Sequence, residues 1–350
     1  MYENVLNNGI KISFCIPVYN VSKYLNECIK SIIDNARGLQ YEIICIDDAS
    51  TDNSFDVLQA LRQSLPQICL YKNNTNRGVG YTRNRLISLA KGDYIWFVDP
   101  DDMLYPGAAV RMLNAIENND ADIILGNYIR CNEEDIYSDF EPDKNPPFFK
   151  YVSYEDTDFL PKDDCNLSMN AIWGSLFRRN FLSSCKLSFQ ENMIAQEDTL
   201  FYYELSLKLN SAVKYTGPCY IYRQRQTSVM HSRNPERAKK YYLSILIMHE
   251  EYSNHFYAGN YRNEKILLDK MHHTSQNIAT SLAGIPDTKY VKKELSSLKK
   301  SGLYPYRFRT EALKTSENIL RRILFYLQPI EPFFWILHFI YKIKFKMYTS

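Results

Sequence analysis

The sequence predicts an α/β fold with a mostly parallel central sheet flanked by helices, followed by a helical C-terminal region. Through the first 130 residues, apolar runs alternate with segments of helical spacing, the pattern of parallel strands covered on both faces. Polar clusters follow the first four apolar runs, and ligands of such sheets bind beyond the carboxyl ends of the strands. From about residue 235 to 300, apolar residues recur only at helical spacing.

Each element of the first part has its own signal. Near-continuous apolar runs predict strands at 11–18, 41–47, 68–73, 93–99 and 121–130. Helical spacing predicts helices at 21–36, 54–65, 81–91 and 107–119, and Ser22 is a candidate N-cap of the first. Residues 133–165 are polar with two adjacent prolines and predict a loop, whereas 168–232 contain short mixed elements.

Composition excludes some classes of protein. The chain has 42 Lys and Arg against 40 Asp and Glu, a net charge of +2, so no nucleic-acid partner is expected. Its eight cysteines form no CxxC motif and several lie in apolar runs, which indicates buried thiols in a reducing cytosol. No signal peptide begins the sequence, and no apolar run reaches about 18 residues. We therefore expect a cytoplasmic protein without a spanning helix.

Three carboxylates, Asp99, Asp101 and Asp102, end the fourth predicted strand. Charges of the same sign this close repel, so the site needs a cation or hydrogen-bond donors. The residues alone leave three interpretations open: a solvated turn that caps a helix, a carboxylate pair that hydrolyses a glycosidic bond, or a divalent-cation site. The cation site also explains the position at a nucleotide-type crevice, because Mg²⁺ commonly binds one or two carboxylates together with substrate phosphates.

Four segments in order, "ISFCIPVYN", "IICIDDASTDNS", "NRGVGYTRN" and "GDYIWFVDPDD", resemble the family 2 glycosyltransferases of the GT-A fold. The resemblance is strong over 11–130 and extends more weakly to about 232. It implies a catalytic domain over 1–232 with a nucleotide-binding half, 11–130, and an acceptor half, 131–232. A helical extension, 233–317, and a basic aromatic tail, 318–350, then follow.

The resemblance implies how the first two polar clusters bind a nucleotide. The "PVYN" segment would place Pro17, Tyr19 and Asn20 at the base. Asp48 would accept a hydrogen bond from a uracil-type ring N–H, and Asp47 would shape the turn. The alternative for both acids is ordinary turn and cap chemistry.

The next two clusters would hold the rest of the donor. The resemblance places Arg83 near the base or the diphosphate, although a surface arginine on a helix is the alternative. Asp99 would hold the ribose hydroxyls, and Asp101 would bind the Mn²⁺ or Mg²⁺ ion that bridges the phosphates. Asp102 would be a cap or a support for its neighbours.

Displacement at a sugar carbon needs a carboxylate that takes the proton of the acceptor hydroxyl. Glu197 and Asp198 precede an apolar helical run. The resemblance makes Asp198 the general base, with Glu197 contacting the donor sugar or orienting Asp198. The alternative is a pair of acids favoured by a helix N-terminus. A single base suits one displacement with inversion.

The resemblance implies roles for two further residues, and Trp173 is a candidate without it. In "YRQRQTSVMHS", Arg225 would neutralise phosphate after the segment folds over the donor, and His231 would complete the metal shell. The alternative for His231 is a histidine that is structural or simply exposed. Trp173 either stacks on the acceptor sugar or packs in the core.

The tail, 318–350, is aromatic and basic, and Pro329 and Pro332 divide it into segments too short to span a bilayer. One interpretation is an amphipathic segment on the anionic inner face of the cell membrane, with a lipid-linked saccharide as acceptor. The alternative is a helix that packs on its own domain or on a second subunit, as in a homodimer.

The resemblance therefore implies an inverting, metal-dependent glycosyltransferase of surface polysaccharide biosynthesis that uses a UDP-sugar and a saccharide or lipid-linked saccharide acceptor. A nucleotidyltransferase is less consistent, since no glycine-rich basic loop opens the first helix. A glycoside hydrolase would not need the "DDAS" segment. A non-catalytic sugar-binding or assembly protein predicts that Asp101 and Asp198 are dispensable.

Overall fold

The computed structural model describes residues 9–132, 149–153, 171–224, 234–261, 264–301, 303, 332 and 334–341. The chain divides into two compact units. The first comprises Met1–Asn192 with Glu197–Gln226, and the second comprises Met193–Gln196 with Thr227–Ser350. The described part of the first unit is an α/β structure, and that of the second is helical.

One sheet organises the first unit. Its strands are β1 Ile12–Val18, β2 Tyr41–Asp47, β3 Ile68–Lys72, β4 Tyr94–Phe97, β5 Met103–Leu104, β6 Ile123–Asn132, β7 Phe149–Ser153, β8 Ser175–Arg178 and β9 Ser211–Gln224. Their order is β3-β2-β1-β4-β8-β6-β9-β5, with β7 also paired to β9. Strands β1 to β4 pair in parallel, as do β6 and β9, whereas β8 is antiparallel to both of its neighbours. The predicted mostly parallel sheet is confirmed.

The helices of the first unit connect these strands. They are α1 Leu25–Asn35, α2 Ser54–Ser64, α3 Val79–Leu89, α4 Ala108–Asn119, α5 Arg179–Cys185 and α6 Glu197–Lys208. Every residue of β1 is buried, with Phe14 and Ile16 in one hydrophobic cluster and Cys15 in another. Apolar residues therefore cover both faces of the sheet, which explains why its strands read as continuous apolar runs.

The predicted cap of the first helix is wrong. Helix α1 begins at Leu25 with Tyr24 in the N-cap position, and the side chain of Tyr24 makes no cap hydrogen bond. The backbone N–H of Ser22 donates instead to Oδ2 of Asp52 (3.0 Å), so the loop after β1 is bound to the loop after β2. A tertiary contact has displaced the local capping motif.

The second unit contains α7 Pro235–Tyr257, α8 Glu264–Ala283 and α9 Thr288–Lys300. Residues 334–341 of the tail are also helical, and its Phe334 and His338 are buried. Nδ1 of His338 donates to the carbonyl of Ala283 (3.0 Å), and its Nε2 lies 3.1 Å from Oγ1 of Thr288. This part of the tail packs on its own unit, as the second interpretation predicted. Its exposed residues include Ile336, Phe339 and Ile340.

Among the residues that the structure describes, no helix combines the length and apolarity needed to cross a membrane.

Candidate active site

The loops after β1 and β2 are joined by Asn20. Its backbone is left-handed (φ 52°), a conformation that asparagine tolerates better than most residues. Its Oδ1 accepts from the N–H groups of Thr51 (2.8 Å) and Asp52 (3.3 Å), and its own N–H donates to Oγ of Ser50 (3.0 Å). Asn20 therefore holds the loop after β2 in place. The preceding Tyr19 is 46% exposed at the same rim.

Pro17 and Asp47 occupy the buried ends of the two strands. Pro17 lies in β1 and is aligned with Ile46 of β2. Oδ2 of Asp47 accepts from the N–H of Ser50 (3.1 Å), whereas its buried Oδ1 has no hydrogen-bond partner among the described residues. Asp47 thus shapes the turn after β2, as predicted, and retains one oxygen for a further donor.

Asp48 fastens the loop that connects β3 to α3. Its Oδ1 accepts from Nδ2 of Asn73 (2.7 Å) and the N–H of Arg77 (2.9 Å), and its Oδ2 accepts from the N–H of Gly78 (2.8 Å). These contacts join two loops that are 25 to 30 positions apart, so they are not the local turn or cap contacts of the alternative interpretation. Its contact with a nucleobase stays a prediction.

Arg83 links Asp99, which follows the fourth strand, to Glu197 in the first turn of α6. Nη1 donates to Oε1 of Glu197 (2.6 Å), and Nη2 donates to Oδ1 of Asp99 (3.1 Å). Its guanidinium also lies over the ring of Phe189, with Cζ 5.5 Å from the centroid. Burial would lower the pKa of Arg83, but the carboxylates of Asp99, Glu197 and Asp198 outweigh it and raise that pKa. Arg83 is only 4% exposed, so the surface interpretation is wrong.

The acidic loop, residues 99–102, is fastened to β9. Asp102 is buried, and its Oδ1 accepts from the N–H of Arg223 (2.8 Å). Burial, and then the charges of Asp101 and Asp99, raise the pKa of Asp102 well above its ordinary value. The N–H of Asp99 donates to the hydroxyl of Tyr220 (2.9 Å). Asp102 therefore anchors the loop and caps no helix, since α4 begins only at Ala108.

A second anchor of the acidic loop is the side chain of Arg223. Its Nε donates to the carbonyl of Asp101 (2.7 Å), and its Nη2 donates to Oε2 of Glu27 on α1 (2.7 Å). Sequence reasoning assigned no role to Arg223 or Glu27. No local signal could have paired them, because the two residues are 196 positions apart.

Glu197 and Asp198 lie in the first turn of α6, where the helix dipole favours acids. Glu197 is engaged with Arg83, whereas Oδ1 of Asp198 accepts from the N–H of Thr199 (2.8 Å). Burial, and then the charge of Glu197, raise the pKa of Asp198 to about 7, against the opposing effect of Arg83. A carboxylate that exchanges its proton near neutral pH has the property required of a general base.

Trp173 belongs to an aromatic cluster beside the acidic loop. Its ring is stacked on Tyr220 (centroids 4.4 Å apart) and Tyr222 (5.7 Å), and Tyr128 meets it edge-on (5.0 Å). Trp173 is 9% exposed, and its carbonyl accepts from Nε1 of Trp96 (2.8 Å). These contacts match the packing interpretation, and stacking on an acceptor sugar stays a prediction.

Two predicted site residues, Arg225 and His231, lie outside the described residues. Among those described, no group of three or more His, Cys, Asp or Glu side chains is placed to hold a metal ion. The side chain of Asp99 is 28% exposed and Asp101 is also partly exposed, so both can offer hard carboxylate oxygens at the crevice. One such carboxylate, completed by substrate phosphates, fits the chemistry of Mg²⁺ or Mn²⁺.

Comparison with known proteins identifies related sequences. Residues 13–183 match the family model described as glycosyl transferase family 2. The poly(ribitol-phosphate) beta-glucosyltransferase of Bacillus spizizenii is 32% identical over 201 residues, which cover 57% of this chain and 30% of that protein. The uncharacterized glycosyltransferase EpsJ of Bacillus subtilis is 24% identical over 292 residues, 82% of this chain and 83% of that protein. The chain thus spans under a third of the first relative's length.

A solved structure has a fold similar to that of this chain. The crystal structure of S. aureus TarS 1–349 in complex with UDP-GlcNAc aligns with a TM-score of 0.51 at 18% identity. The alignment covers 86% of this chain and 94% of that one.

Proposed function

Because the chain belongs to glycosyl transferase family 2 and has the GT-A fold, we propose that it transfers a sugar from a nucleotide-diphosphate sugar, with a UDP-sugar as donor, to a saccharide acceptor. The observation that carries the proposal is the buried arrangement in which Arg83 binds both Asp99 and Glu197 beside Asp198. It joins the strand end expected to hold the donor to the helix expected to supply the base.

The reaction proposed is a single displacement. Asp198 takes the proton of the acceptor hydroxyl, whose oxygen then forms a bond to the anomeric carbon while the bond from that carbon to the diphosphate breaks. The anomeric configuration inverts, and the proton ends on Asp198. Its pKa of about 7 matches this exchange near neutral pH. Glu197, held by Arg83, keeps the first turn of α6 oriented toward the donor.

A divalent cation is part of the proposal. Mn²⁺ or Mg²⁺ held by Asp101, with His231 as a further ligand, would neutralise the charge that develops on the leaving diphosphate. Asp99 is held 3.1 Å from Nη2 of Arg83 and would bind the ribose hydroxyls, and Arg225 would contact phosphate.

The proposed acceptor is a growing surface polysaccharide, carried on a lipid. The support is in the relatives: one is named for poly(ribitol-phosphate), and another, GgaB of Bacillus subtilis, for minor teichoic acid biosynthesis. We further propose peripheral contact with the inner membrane face through the exposed apolar residues of 334–341, which Lys342, Lys344 and Lys346 follow in the sequence.

The test is calorimetric titration with UDP, GDP, CDP and ADP, each in Mn²⁺ and in EDTA. The proposal predicts tight binding of UDP that weakens strongly in EDTA. Binding of none of the four, with and without an acceptor oligosaccharide present, would overturn it and favour the hydrolase or the non-catalytic alternative. Equal UDP binding in Mn²⁺ and in EDTA would refute the proposed metal site but not the proposed UDP-sugar donor.

A further inference from the structure

We propose that Arg223 and Glu27 form a positioning pair that holds the acidic loop in its donor-binding shape. The inference rests on the proposed function, since it concerns the loop that would receive the diphosphate. Neither residue touches the reacting atoms in this proposal. They act through Asp101, whose carbonyl accepts from Nε of Arg223 (2.7 Å).

The contacts of Arg223 tie three elements together at one point. Its backbone N–H binds Oδ1 of Asp102 (2.8 Å), its Nε binds the carbonyl of Asp101, and its Nη2 binds Glu27 on α1. The guanidinium also lies over the ring of Tyr24, with Cζ 4.8 Å from the centroid. A guanidinium is a planar fork of donors, so two of its contacts fix the direction of the third. Glu27 thereby determines where Arg223 holds the loop.

The acidic loop needs such a support because its own charges oppose its shape. Asp99, Asp101 and Asp102 lie within four residues, so their negative charges repel one another. Arg83 reaches the loop at Asp99, whereas Arg223 reaches its other end through Asp101 and Asp102. A displacement of about 1 Å at a reacting centre can reduce the rate roughly 100-fold. A support that fixes the main chain of Asp101 therefore influences donor binding from a distance.

Orientation explains the pair better than stability does. The side chain of Arg223 is 3% exposed, whereas that of Glu27 is 41% exposed. Desolvation of a buried charge offsets much of the attraction in such a pair, so its net contribution to folding is small. Arg223 also precedes Gln224, the last residue of β9, and so fixes the backbone from which the chain continues to Arg225.

The experiment compares four variants with the wild-type protein: Arg223→Gln, Arg223→Lys, Glu27→Gln and the double variant Glu27→Gln with Arg223→Gln. The control is Asp34→Asn, which removes a carboxylate of the same helix, α1, that pairs with Lys30 (2.6 Å) and Arg37 (2.7 Å). The measurements are the Kd of UDP in Mn²⁺ by calorimetry, the kcat of transfer, and the melting temperature. The double variant tests whether the two residues act as one unit.

We expect Arg223→Gln to weaken UDP binding about tenfold, a loss of about 1.4 kcal/mol, and Arg223→Lys to restore part of it. Glu27→Gln alone should weaken binding about threefold and should add nothing in the Arg223→Gln background. The control should bind UDP as the wild type does. If Arg223→Gln does not fold, Glu27→Gln decides, since its half-exposed side chain can be replaced without exposing the core.

Two results would overturn the inference alone. One is wild-type UDP affinity in Glu27→Gln and Arg223→Gln. The other is additive losses in the double variant, which would mean that the two residues act independently. If wild-type protein binds no UDP, the proposed function fails and this inference fails with it.

Discussion

Asp198→Asn should make the protein more stable while it abolishes transfer. The carboxylate of Asp198 is desolvated and lies beside Glu197, which together raise its pKa from the ordinary 3.8 to about 7. A group with a raised pKa stabilises the fold at low pH, and that contribution is lost as the pH rises through the folded pKa. The asparagine amide has no charge, and its oxygen can still accept from the N–H of Thr199.

The magnitude follows from the pKa of Asp198. Each unit by which a pKa rises corresponds to about 1.4 kcal/mol. The rise in the pKa of Asp198 from 3.8 to about 7 therefore corresponds to about 4 kcal/mol of unfolding free energy at pH 8.5. The gain of Asp198→Asn should decline below pH 7 and vanish near pH 4. Urea unfolding followed by tryptophan fluorescence between pH 4.5 and 8.5 measures it, with linear extrapolation at each pH.

Glu197→Gln provides the matched comparison at the adjacent position. Its carboxylate pairs with the buried Arg83 (2.6 Å), so its removal leaves a buried cation with less compensation. Loss of one partner of a buried pair costs about 3–5 kcal/mol, opposite in sign to the effect at Asp198. A pH-independent difference between Asp198→Asn and the wild type, or a less stable variant at pH 8.5, would refute the reasoning. Wild-type turnover in Asp198→Asn would exclude Asp198 as the base.

Three further outcomes are expected. Asp101→Asn should lower kcat/KM roughly 100-fold in Mn²⁺ assays at an unchanged melting temperature, and full activity would exclude Asp101 as a metal ligand. Gly92→Ala should lower the free energy of unfolding by about 1–3 kcal/mol in urea titrations, because the added Cβ would lie 2.6 Å from the backbone of β1. Gly9→Ala is the control, since an added Cβ there has no neighbour within 4 Å, and equal effects of the two substitutions would contradict the prediction. Phe339→Asp should release the protein from anionic liposomes in flotation assays, whereas Tyr257→Asp, another exposed aromatic, should not; equal binding would argue against the proposed surface.

Local patterns predicted most of the strands and helices of residues 11–130. Each strand and helix expected between residues 11 and 130 exists, because buried parallel strands and amphipathic helices leave their periodicity in the sequence. The two-residue strand β5 was missed, since it is too short to show a period and exists through its pairing with β9. The N-cap predicted at Ser22 was wrong because the backbone N–H of Ser22 binds the carboxylate of Asp52 in the loop after β2.

The partners of the site residues could not be predicted in the same way. Arg83 was selected on resemblance, but its contact with Glu197 joins residues 114 positions apart. The pair of Glu27 and Arg223 is separated still further. Such contacts depend on how strands and helices pack, and nothing in the local spacing records them. The residues proposed to touch a ligand were therefore easier to select from the sequence than the residues that hold them in place.

The hydrogen bonds of Asn20 and Asp48 have a consequence for the range of donors. They tie the loops after β1, β2 and β3 into one rim before any ligand arrives. In the proposed function this rim receives the nucleobase, and a site built to hydrogen-bond its ligand rejects analogues that lack the matching groups by roughly 10⁴-fold or more. The nucleotide would thus be the least adaptable part of the donor, while the sugar and acceptor could change through substitutions elsewhere in the fold.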